Sequence, residues 1–297
     1  MENHIVFLSG GKGSFGAAKR LVKNVGVENV EFLFTDTLIE DADLYRFLIE
    51  SLMYFNNYES KELEQVANGC RNIPKLVSDE ASDERKKMLP DIREIVLEHF
   101  DNLTWIQHGK TPWDVFFEVD YLGNTRTDPC SRVLKRETAK DHVEENYDPE
   151  NTTLYVGIDW TEQHRMDSVW ANWDPYPVKA PLTEKPYMRD WQVLDVMRDE
   201  GIKPPRLYDA NFPHYNCGGF CVKAGHGWFE VLLKQKPEVF AYHEQKEQEI
   251  RDYLDKDVAI LRDRTGGETD PLTLKEFRSK ANSDDRNQLD LDDFGGW

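Results

Sequence analysis

The sequence predicts an α/β fold, a mostly parallel sheet with helices on both faces, followed by a helical C-terminal part. Short apolar runs alternate with amphipathic segments along most of the chain, and this alternation is typical of parallel sheets. A glycine-rich turn joins the first apolar run to the first amphipathic segment. Hydrophobic residues make up 39% of the 297 positions, which is enough for the packed core that such a fold requires.

The first strand is predicted at residues 4–8, and it leads into the turn SGGKGS at residues 9–14. A helix is predicted after the turn because apolar residues recur with helical spacing at Ala17, Ala18, Leu21, Val22 and Val25. A strand, a glycine turn and a helix in this order can place backbone N–H groups against a phosphate.

The later elements follow from the same patterns. Apolar, β-branched runs predict strands at residues 29–37, 102–108 and 152–160. Amphipathic runs predict helices at residues 39–55, 83–100, 111–119, 185–201, 221–237 and 238–254, with a new helix beginning at Pro90 inside the second of these. Strands separated by helices in this way favour a parallel sheet.

Composition limits the domain organisation and the class of partner. The formal net charge is −19, which disfavours global binding to nucleic acid because the phosphates are repelled. No run of 18 apolar residues indicates a membrane span, and no secretory signal pattern is present, so a cytoplasmic protein is expected. The chain is mostly polar from residue 264 onward, so we expect a domain at residues 1–263 and an acidic, weakly ordered tail at 264–297.

The glycine turn fits two phosphate-binding patterns. Gly11, Gly13 and Gly16 match G-x-G-x-x-G. Asp36 lies 20 positions after Gly16, where the ribose-binding acid of an NAD-binding Rossmann dehydrogenase is expected. Residues 9–14 of the same turn match S-G-G-x-x-S, a pyrophosphatase-type loop that holds the phosphates of ATP or a related adenine nucleotide. A turn that only connects strand to helix is the third interpretation, and the turn itself leaves all three open.

Asp36 and Thr37 end the second predicted strand, at the edge of the sheet where α/β folds bind ligands. The Asp36 carboxylate is therefore a candidate partner for a ribose, an adenine or a metal-bound water. It is equally suited to cap the helix that follows.

Cys130 precedes Arg132 and Lys135 in a predicted helix start. Two cations beside a thiol favour a bound phosphate or sulfate, and they would lower the thiol pKa. An ordinary basic helix face with a small buried cysteine is the alternative.

Gly157 ends the fourth predicted strand, and its lack of a side chain permits close approach of a ligand. Asp159 and Arg165 follow at the same edge, and an arginine fork suits phosphate or carboxylate. A solvated loop with chance charges is the alternative interpretation of this segment.

The segment HYNCGGFC places Cys217 and Cys221 four positions apart, with His214 three positions before Cys217. The spacing suits a metal site or a redox pair, although C-x-x-x-C is a less specific signal than C-x-x-C. Cys130 lies 87 positions before Cys217, so only the fold can bring these thiols together.

Taken in order, these segments resemble the phosphoadenosine-phosphosulfate (PAPS) reductase-like family of the adenine nucleotide alpha-hydrolase superfamily. LSGGKGSF resembles its S-G-G-K-D-S phosphate loop (PP-loop), and TDTLIEDADLYRFL resembles its D-T-G segment. CSRVLK resembles its cysteine-to-lysine motif, and GIDWTEQHR resembles its G-I-R-x-x-E-S-x-R segment. YNCGGFCVKAGHGWFEVL resembles its late cysteine segment. The match covers residues 4–250 and implies a Rossmann-like sheet of the HUP type.

The resemblance implies a nucleotide site and a neighbouring anion site. The nucleotide-binding residues would be Ser9, Gly10, Gly11, Lys12, Gly13, Ser14, Phe15, Asp36, Thr37, Gly157 and Asp159. A phosphate or sulfate would lie on Arg132, Lys135 and Arg165. Lys12 and three cysteines, Cys130, Cys217 and Cys221, are the candidate catalytic residues, and the three cysteines with His214 are the candidate metal ligands. The implied cofactors are ATP or a related adenine nucleotide, Mg²⁺, and an iron–sulfur cluster or zinc.

The sequence departs from the family pattern at two points. Gly13 stands where the family commonly has aspartate, which places ATP cleavage at the α–β bond in question, although GSFGAA also resembles the serine–phenylalanine–glycine loop of some sulfonucleotide reductases. No cysteine follows Cys221, whereas those reductases use a cysteine near the C-terminus as the nucleophile. The second departure argues against thioredoxin-coupled reduction of the usual kind.

The expected function is ATP-dependent adenylation of an acceptor, with pyrophosphate release and transfer of sulfur or nitrogen. The alternatives are a sulfonucleotide reductase or binder, a nucleotide-binding protein without catalysis, and an NAD-binding dehydrogenase. The late cysteines and CSRVLK favour the pyrophosphatase-type loop over the dehydrogenase. The expected partners are a small-molecule nucleotide, an acceptor that the sequence does not identify, and a second copy of the chain.

Overall fold

The computed structural model describes residues 2–265 and 268–282. Within these residues the chain forms one five-stranded parallel sheet and one two-stranded antiparallel ribbon. The strands are β1 (Asn3–Phe7), β2 (Val30–Asp36), β3 (Leu103–Gln107), β4 (Thr152–Tyr155), β5 (Val178–Lys179), β6 (Leu261–Asp263) and β7 (Asp270–Leu272).

Helices cover most of the remaining described chain. They are α1 (Lys12–Val25), α2 (Ala42–Phe55), α3 (Lys61–Gly69), α4 (Asp79–His99), α5 (Pro112–Glu118), α6 (Pro129–Ser131), α7 (Thr138–Asn146), α8 (Met166–Trp173), α9 (Asp190–Asp199), α10 (Arg206–Asp209), α11 (His226–Gln235), α12 (Pro237–Leu254) and α13 (Leu274–Asn282). A π-helical segment, Arg132–Glu137, joins α6 to α7. None of the described helices has the length and apolar character needed to cross a bilayer.

The strands of the parallel sheet lie in the order β3-β2-β1-β4-β5. The chain moves outward from β1 to β2 and β3 on one side, and then returns to place β4 and β5 on the other side. The loops after β1 and β4 therefore diverge and leave a crevice at the carboxyl edge, where sheets of this type bind ligands. The predicted α/β fold with its parallel sheet is confirmed.

Alternate residues of the central strands pack on opposite faces of the sheet. Ile5 and Leu33 belong to one hydrophobic cluster, whereas Val6, Phe32 and Phe34 belong to a larger cluster. Burial on both faces explains why the strands are continuous apolar runs in the sequence rather than alternating ones.

Two predicted helix boundaries are wrong. Pro90 lies inside α4 instead of beginning a new helix. Proline has no N–H to donate to the helical hydrogen-bond ladder, but the buried side chains of Leu89 and Val96 on either side of it hold the helix against the core. Helix α11 begins at His226 instead of at Cys221, because the residues from Cys221 to Gly225 form turns.

Part of the predicted weakly ordered tail is folded. Strand β7 pairs with β6, and the side chains of Leu274 and Phe277 from α13 are buried. Glu247 of α12 accepts hydrogen bonds from the Ile260 N–H at 2.9 Å and the Leu274 N–H at 2.5 Å, which fixes this segment to the domain. Residues 266–267 and 283–297 of the predicted tail lie outside the described residues.

Candidate active site

The turn after β1 lies at the central crevice and needs glycine for steric reasons. Gly10 has a φ of +75°, a backbone conformation that favours glycine, and a Cβ there would lie 2.6 Å from the Leu44 side chain. Gly11 precedes α1 as its N-cap, and its backbone is extended. The turn therefore presents main-chain atoms, rather than side chains, at the start of α1.

Hydrogen bonds within the turn leave four of its backbone donors without a protein partner. The Ser9 N–H donates to the Ser14 hydroxyl at 3.2 Å, and that hydroxyl donates to the Gly11 carbonyl at 2.8 Å. The Lys12 N–H donates to the Tyr208 hydroxyl at 3.0 Å. Among the described residues, no acceptor bonds the N–H groups of Gly10, Gly11, Gly13 and Ser14. Donors at a helix start that lack protein partners are suited to the oxygens of an anion.

The turn is packed directly against the loop after β4. A Cβ on Gly13 would lie 2.4 Å from the Gly157 carbonyl oxygen, and a Cβ on Gly157 would lie 2.4 Å from the Ser14 nitrogen. Backbone atoms on both sides block any side chain, so an aspartate cannot replace Gly13 unless one loop moves. The glycine at the position where the PAPS reductase-like family commonly has aspartate is thus explained by a contact between two loops.

Lys12 connects the turn to a later part of the chain. Its ammonium group donates to the Pro213 carbonyl at 3.2 Å and lies 5.1 Å from the centre of the Tyr208 ring. The segment around α10 therefore covers one side of the turn, and Lys12 lies at the boundary between the two.

Phe15 is placed in the core instead of at a ligand. Its side chain is fully buried, and its ring lies between 5.0 and 5.9 Å from the rings of Phe47, Tyr54 and Phe55. The Phe15 side chain anchors α1 to α2 and has no surface left for the nucleotide contact that the resemblance implied.

Asp36 lies at the predicted edge of the sheet, but its carboxylate is used inside the protein. One oxygen accepts from the Leu38 N–H at 2.8 Å and the Tyr45 hydroxyl at 3.0 Å, and the other accepts from the Trp105 indole at 3.3 Å. Burial raises the pKa of Asp36 to about 6, against the effect of the Leu38 hydrogen bond. The contacts do not support the predicted role as a ribose or nucleoside ligand.

Thr37 and Asp159 also have internal partners. The Thr37 hydroxyl donates to Glu40 at 2.9 Å, while the residue borders a cavity described below. Asp159 caps the turn Trp160–Arg165, where it accepts from the Thr161 N–H at 2.8 Å. The buried Asp159 carboxylate orders the loop that contacts the glycine turn.

A cavity of about 430 Å³ lies at the carboxyl ends of β1, β2 and β4, and we name it the apolar cavity. Phe7 and Trp173 form an aromatic pair in its wall, with their ring centres 5.2 Å apart. The wall consists of Phe7, Ser9, Leu33, Thr35, Arg132, Lys135, Arg136, Glu137, Ala139, Lys140, Val156, Val169, Asn172 and Trp173. An apolar volume of this size with cations at its border suits a flat ring that carries a charged group.

A second cavity of about 390 Å³ shares Ser9 and Lys135 with the apolar cavity. It contains the three cysteines that the sequence singled out, and we name it the thiol cavity. Its wall also includes Thr37, Asp128, Ser131, Leu134, Arg165, Asn216, Phe220, Val222 and Lys223. The fold thus brings Cys130, which precedes the late cysteines by 87 positions, to the same cavity as Cys217 and Cys221.

The three thiols differ in their electrostatic surroundings. Burial raises the pKa of Cys130 to about 12. The side chains of Cys217 and Cys221 interact with each other, and this interaction raises the pKa of Cys217 and lowers that of Cys221 to about 7. Cys221 is therefore the thiol that ionises most readily.

Lys135 is the cation closest to this chemistry. Its ammonium group lies 3.3 Å from the buried carboxylate of Glu40. Burial by itself would lower the pKa of Lys135, but Glu40 and the thiols of Cys217 and Cys221 outweigh burial and raise it. Lys135 therefore remains charged at the wall shared by the two cavities.

The two predicted anion-binding arginines lie at the rims of these cavities and have acidic neighbours. Arg132 lies 2.8 Å from Glu137 and borders the apolar cavity. Arg165 lies 2.6 Å from Glu162 and borders the thiol cavity. The structure therefore brings Arg132, Lys135 and Arg165 to two adjoining cavities, but neither cavity is bordered by all three side chains.

A groove of about 750 Å³ adjoins the thiol cavity at Arg165 and Lys223. Its charged wall residues are Arg136, Arg165, Lys223, Arg262 and Arg264, against Asp128 and Glu162. The groove is locally basic although the chain carries a net charge of −19. An anionic substrate would be attracted to this side of the molecule.

The described residues do not fit the predicted metal site. His214 borders the basic groove and stacks on Trp228, with ring centres 6.0 Å apart, and it is not part of the thiol cavity wall. In the described part of the chain, no three histidine, cysteine or acidic side chains are arranged to hold a metal ion. The iron–sulfur cluster or zinc implied by the resemblance therefore finds no ligand set among these residues.

Sequence reasoning missed two residues that shape the site. Glu40 forms an ion pair with Lys135 and so holds its side chain in place. In the sequence, Glu40 lies in the acidic stretch IEDAD, which indicated only the start of a helix. Tyr208 accepts the Lys12 N–H across 196 positions of sequence, and no local pattern marks it. Only the folded chain shows that these residues complete the site.

No family model and no curated protein matches the chain in sequence comparisons. The function is therefore inferred from the geometry of the crevice and the two cavities.

Proposed function

We propose that this protein binds an adenine nucleotide at the central crevice, with its phosphates on the turn after β1. The observation that carries the proposal is the set of backbone N–H groups at Gly10, Gly11, Gly13 and Ser14, which have no hydrogen-bond acceptor in the described part of the chain. Phosphate oxygens are natural acceptors for such donors, and the helix dipole favours their negative charge.

The apolar cavity supports the nucleoside part of the proposal. Ser9 belongs to the turn and also to the cavity wall, so a ligand on the turn can extend into the cavity. The aromatic rings of Phe7 and Trp173 offer apolar surface for an adenine. The volume of about 430 Å³ lies in the usual range for small-molecule sites.

ATP-dependent adenylation of an acceptor is the reaction that we assign to the site. The acceptor attacks the α-phosphorus of ATP, a new bond to phosphorus forms, and the bond to pyrophosphate breaks. A sulfur or nitrogen nucleophile then displaces AMP from the activated acceptor. Lys12 and the backbone donors would stabilise the charge that develops on the phosphate oxygens. The thiol cavity lies beside the turn and can receive the nucleophile.

Among residues 2–265 and 268–282, no carboxylate is placed to hold a Mg²⁺ near the turn. Gly13 has no side chain, and the oxygens of Asp36 accept hydrogen bonds from three internal donors. Asp159 caps a turn of its own loop. Magnesium therefore enters this proposal only as the counter-ion that ATP brings with it.

Calorimetric titration with ATP and with adenosine tests the proposal. For Lys12→Ala we expect a loss in ATP affinity on the order of tenfold, because a charge-assisted hydrogen bond contributes about 1.5–3 kcal/mol. Adenosine affinity should change much less, since adenosine has no phosphate. Lys23→Ala is the matched control, because Lys23 is exposed in the last turn of the same helix.

The outcomes separate the candidate functions. Pyrophosphate and AMP formation with a suitable acceptor supports adenylation, whereas tight ATP binding without turnover supports a nucleotide-binding protein without catalysis. Equal losses for ATP and adenosine in Lys12→Ala would show that Lys12 does not contact the phosphates. Tighter binding of NAD than of ATP would support the dehydrogenase instead.

A sulfonucleotide reductase or binder is the second candidate, and a specific observation favours it. Lys135 lies at the wall between the two cavities, beside the thiol of Cys221. A sulfate carried by a nucleotide on the turn would therefore meet a cation and a thiolate together. Release of sulfite from a sulfonucleotide by the reduced protein, abolished in Lys135→Ala, would support this candidate over adenylation.

A further inference from the structure

The late cysteine segment forms a tight turn that places its two thiols together. Cys217 and Gly218 have positive φ angles of 52° and 63°, and the Phe220 N–H closes the turn on the Cys217 carbonyl at 2.9 Å. A chain reversal of this kind brings residues three and four positions apart close in space. Cys221 follows directly, and both cysteines border the thiol cavity.

The turn is held rigidly by the loop between β2 and α2. A Cβ on Gly218 would lie 2.5 Å from the Ile39 carbonyl oxygen, so the two backbones are in contact. Lys236 donates to the Gly218 carbonyl at 2.7 Å and to Asp41 at 2.7 Å. The close approach of the two thiols is therefore fixed by the fold.

Both thiols are accessible from the same cavity. Cys217 and Cys221 are half-buried, and both border the thiol cavity of about 390 Å³. Lys135 also borders this cavity, and its positive charge favours a thiolate there. A small molecule that enters the cavity would meet a thiolate and a second thiol in the same wall.

We propose that Cys217 and Cys221 form a dithiol–disulfide exchange site that reacts with low-molecular-weight disulfides. The Cys221 thiolate attacks one sulfur of the small disulfide, its S–S bond breaks, and one thiolate leaves. Cys217 then loses its proton and attacks the Cys221 sulfur, which releases the second thiolate and forms the Cys217–Cys221 disulfide. The protein loses two electrons and two protons, and the small disulfide is reduced to two thiols.

The other two cysteines differ from this pair. Cys70 is fully buried, its thiol donates to the Val66 carbonyl, and burial raises its pKa to about 12. Cys130 borders the thiol cavity, but it is buried and its pKa is also raised to about 12. Cys70 thus serves as an unreactive internal control, and Cys130 is the one other cysteine at the thiol cavity that could pair with Cys221.

The first experiment treats the reduced full-length protein with oxidised glutathione, in the absence of nucleotide. We expect loss of two hydrogen atoms per chain by intact mass spectrometry. Peptide mapping after alkylation should show a disulfide between Cys217 and Cys221, with Cys70 and Cys130 alkylated. Because no nucleotide is added, this result does not depend on the proposed function.

Single variants test the order of the two steps. In Cys217→Ser the second step is blocked, so one glutathione should remain bound to Cys221. In Cys221→Ser the attacking thiolate is missing, and reaction at Cys217 should be slower on the order of tenfold or more. Far-UV circular dichroism of each variant establishes that the fold is retained.

Three results would overturn the inference. The first is a wild-type protein that stays reduced at equilibrium with excess oxidised glutathione. The second is a mapped disulfide that joins Cys130 to Cys221. The third is a mixed disulfide that persists in the wild-type protein as it does in Cys217→Ser. Peptide mapping of the wild-type protein alone distinguishes these results, even if a variant fails to fold.

Discussion

The loops after β1 and β2 lie side by side at the carboxyl edge of the sheet, but they use their polar groups in opposite ways. After β2, the Asp36 carboxylate accepts three hydrogen bonds from within the core. After β1, the N–H groups of Gly10, Gly11, Gly13 and Ser14 find no acceptor among the described residues. The first loop has its polar groups satisfied by the fold, and the second has capacity left for a ligand.

This difference shows that position at the sheet edge does not by itself identify a ligand contact. Asp36 lies where both nucleotide-binding interpretations of the sequence needed an acid, yet its oxygens are engaged elsewhere. The turn has no charged group except Lys12 and still offers the better binding surface. Counting donors and acceptors therefore separates the two loops, whereas sequence position does not.

The largest effect is expected from replacing Gly13 by aspartate. The new Cβ would meet the Gly157 carbonyl oxygen at 2.4 Å, so one loop must shift. We expect a loss of about 1–3 kcal/mol in the free energy of unfolding, which is typical of overpacking. We also expect ATP affinity to fall at least about tenfold, because the backbone donors move with the turn. Urea denaturation and calorimetry measure the two effects.

Gly69→Ala is the matched control for this substitution. Gly69 ends α3 with helical φ and ψ angles, and no atom lies within 4 Å of a Cβ built there. This variant should keep wild-type ATP affinity and lose no stability. If Gly13→Asp binds ATP as tightly as the wild-type protein, the donors of the turn do not hold the phosphates in the geometry described above.

An effect on the pH dependence of stability, with almost no effect on ATP affinity, is expected from Asp36→Asn. Burial raises the pKa of Asp36 from an ordinary 3.8 to about 6, so the folded state holds the proton more tightly than the unfolded state. Stability from this group is present below pH 4 and is lost as the pH rises to 6, by about 3 kcal/mol at most. The variant should lack this pH dependence, and its ATP affinity should stay within about twofold of wild type.

Denaturation curves of both proteins between pH 4 and pH 7 measure this prediction. The difference between the two proteins isolates Asp36, because other groups titrate in both. Parallel pH profiles for the two proteins would show that the carboxyl group is not buried as described. A large loss of ATP affinity in Asp36→Asn would restore Asp36 as a nucleotide ligand and remove the contrast between the loops.

The sheet was predictable because its signals are local. Each central strand is an apolar run buried on both faces, and each run is visible in the sequence without knowledge of its neighbours. Pro90 was misleading because a local rule about proline was overruled by the packing of Leu89 and Val96 in α4. The folding of α13 was missed for a related reason, since only two of its side chains, Leu274 and Phe277, are buried.

The candidate site was predictable only in part. The glycine turn, Lys135 and the three cysteines were found from their motifs, and the structure brings them to adjoining cavities. The roles of Phe15 and Asp36 could not be read from the motifs, because burial and internal hydrogen bonds decide them. The contact between Lys12 and Tyr208 joins segments 196 positions apart, and nothing local encodes it.

The smallest effect is expected from Tyr208→Phe. The hydroxyl of Tyr208 accepts the Lys12 N–H at 3.0 Å, and Tyr208→Phe removes this acceptor from the turn. The free energy of unfolding should fall by about 1 kcal/mol without nucleotide. A bound phosphate can accept the freed N–H, so saturating ATP should stabilise the variant more than it stabilises the wild-type protein. Denaturation with and without ATP measures the difference.

Tyr215→Phe is the matched control, because it removes a buried hydroxyl of the same segment that is bonded elsewhere. The Tyr215 hydroxyl donates to Asp41 at 3.2 Å and makes no hydrogen bond to the glycine turn. Its loss should lower stability by a similar amount, with and without ATP alike. If Tyr208→Phe instead weakens ATP binding by tenfold or so, Tyr208 contacts the nucleotide itself. The segment around α10 would then belong to the site and not only to its cover.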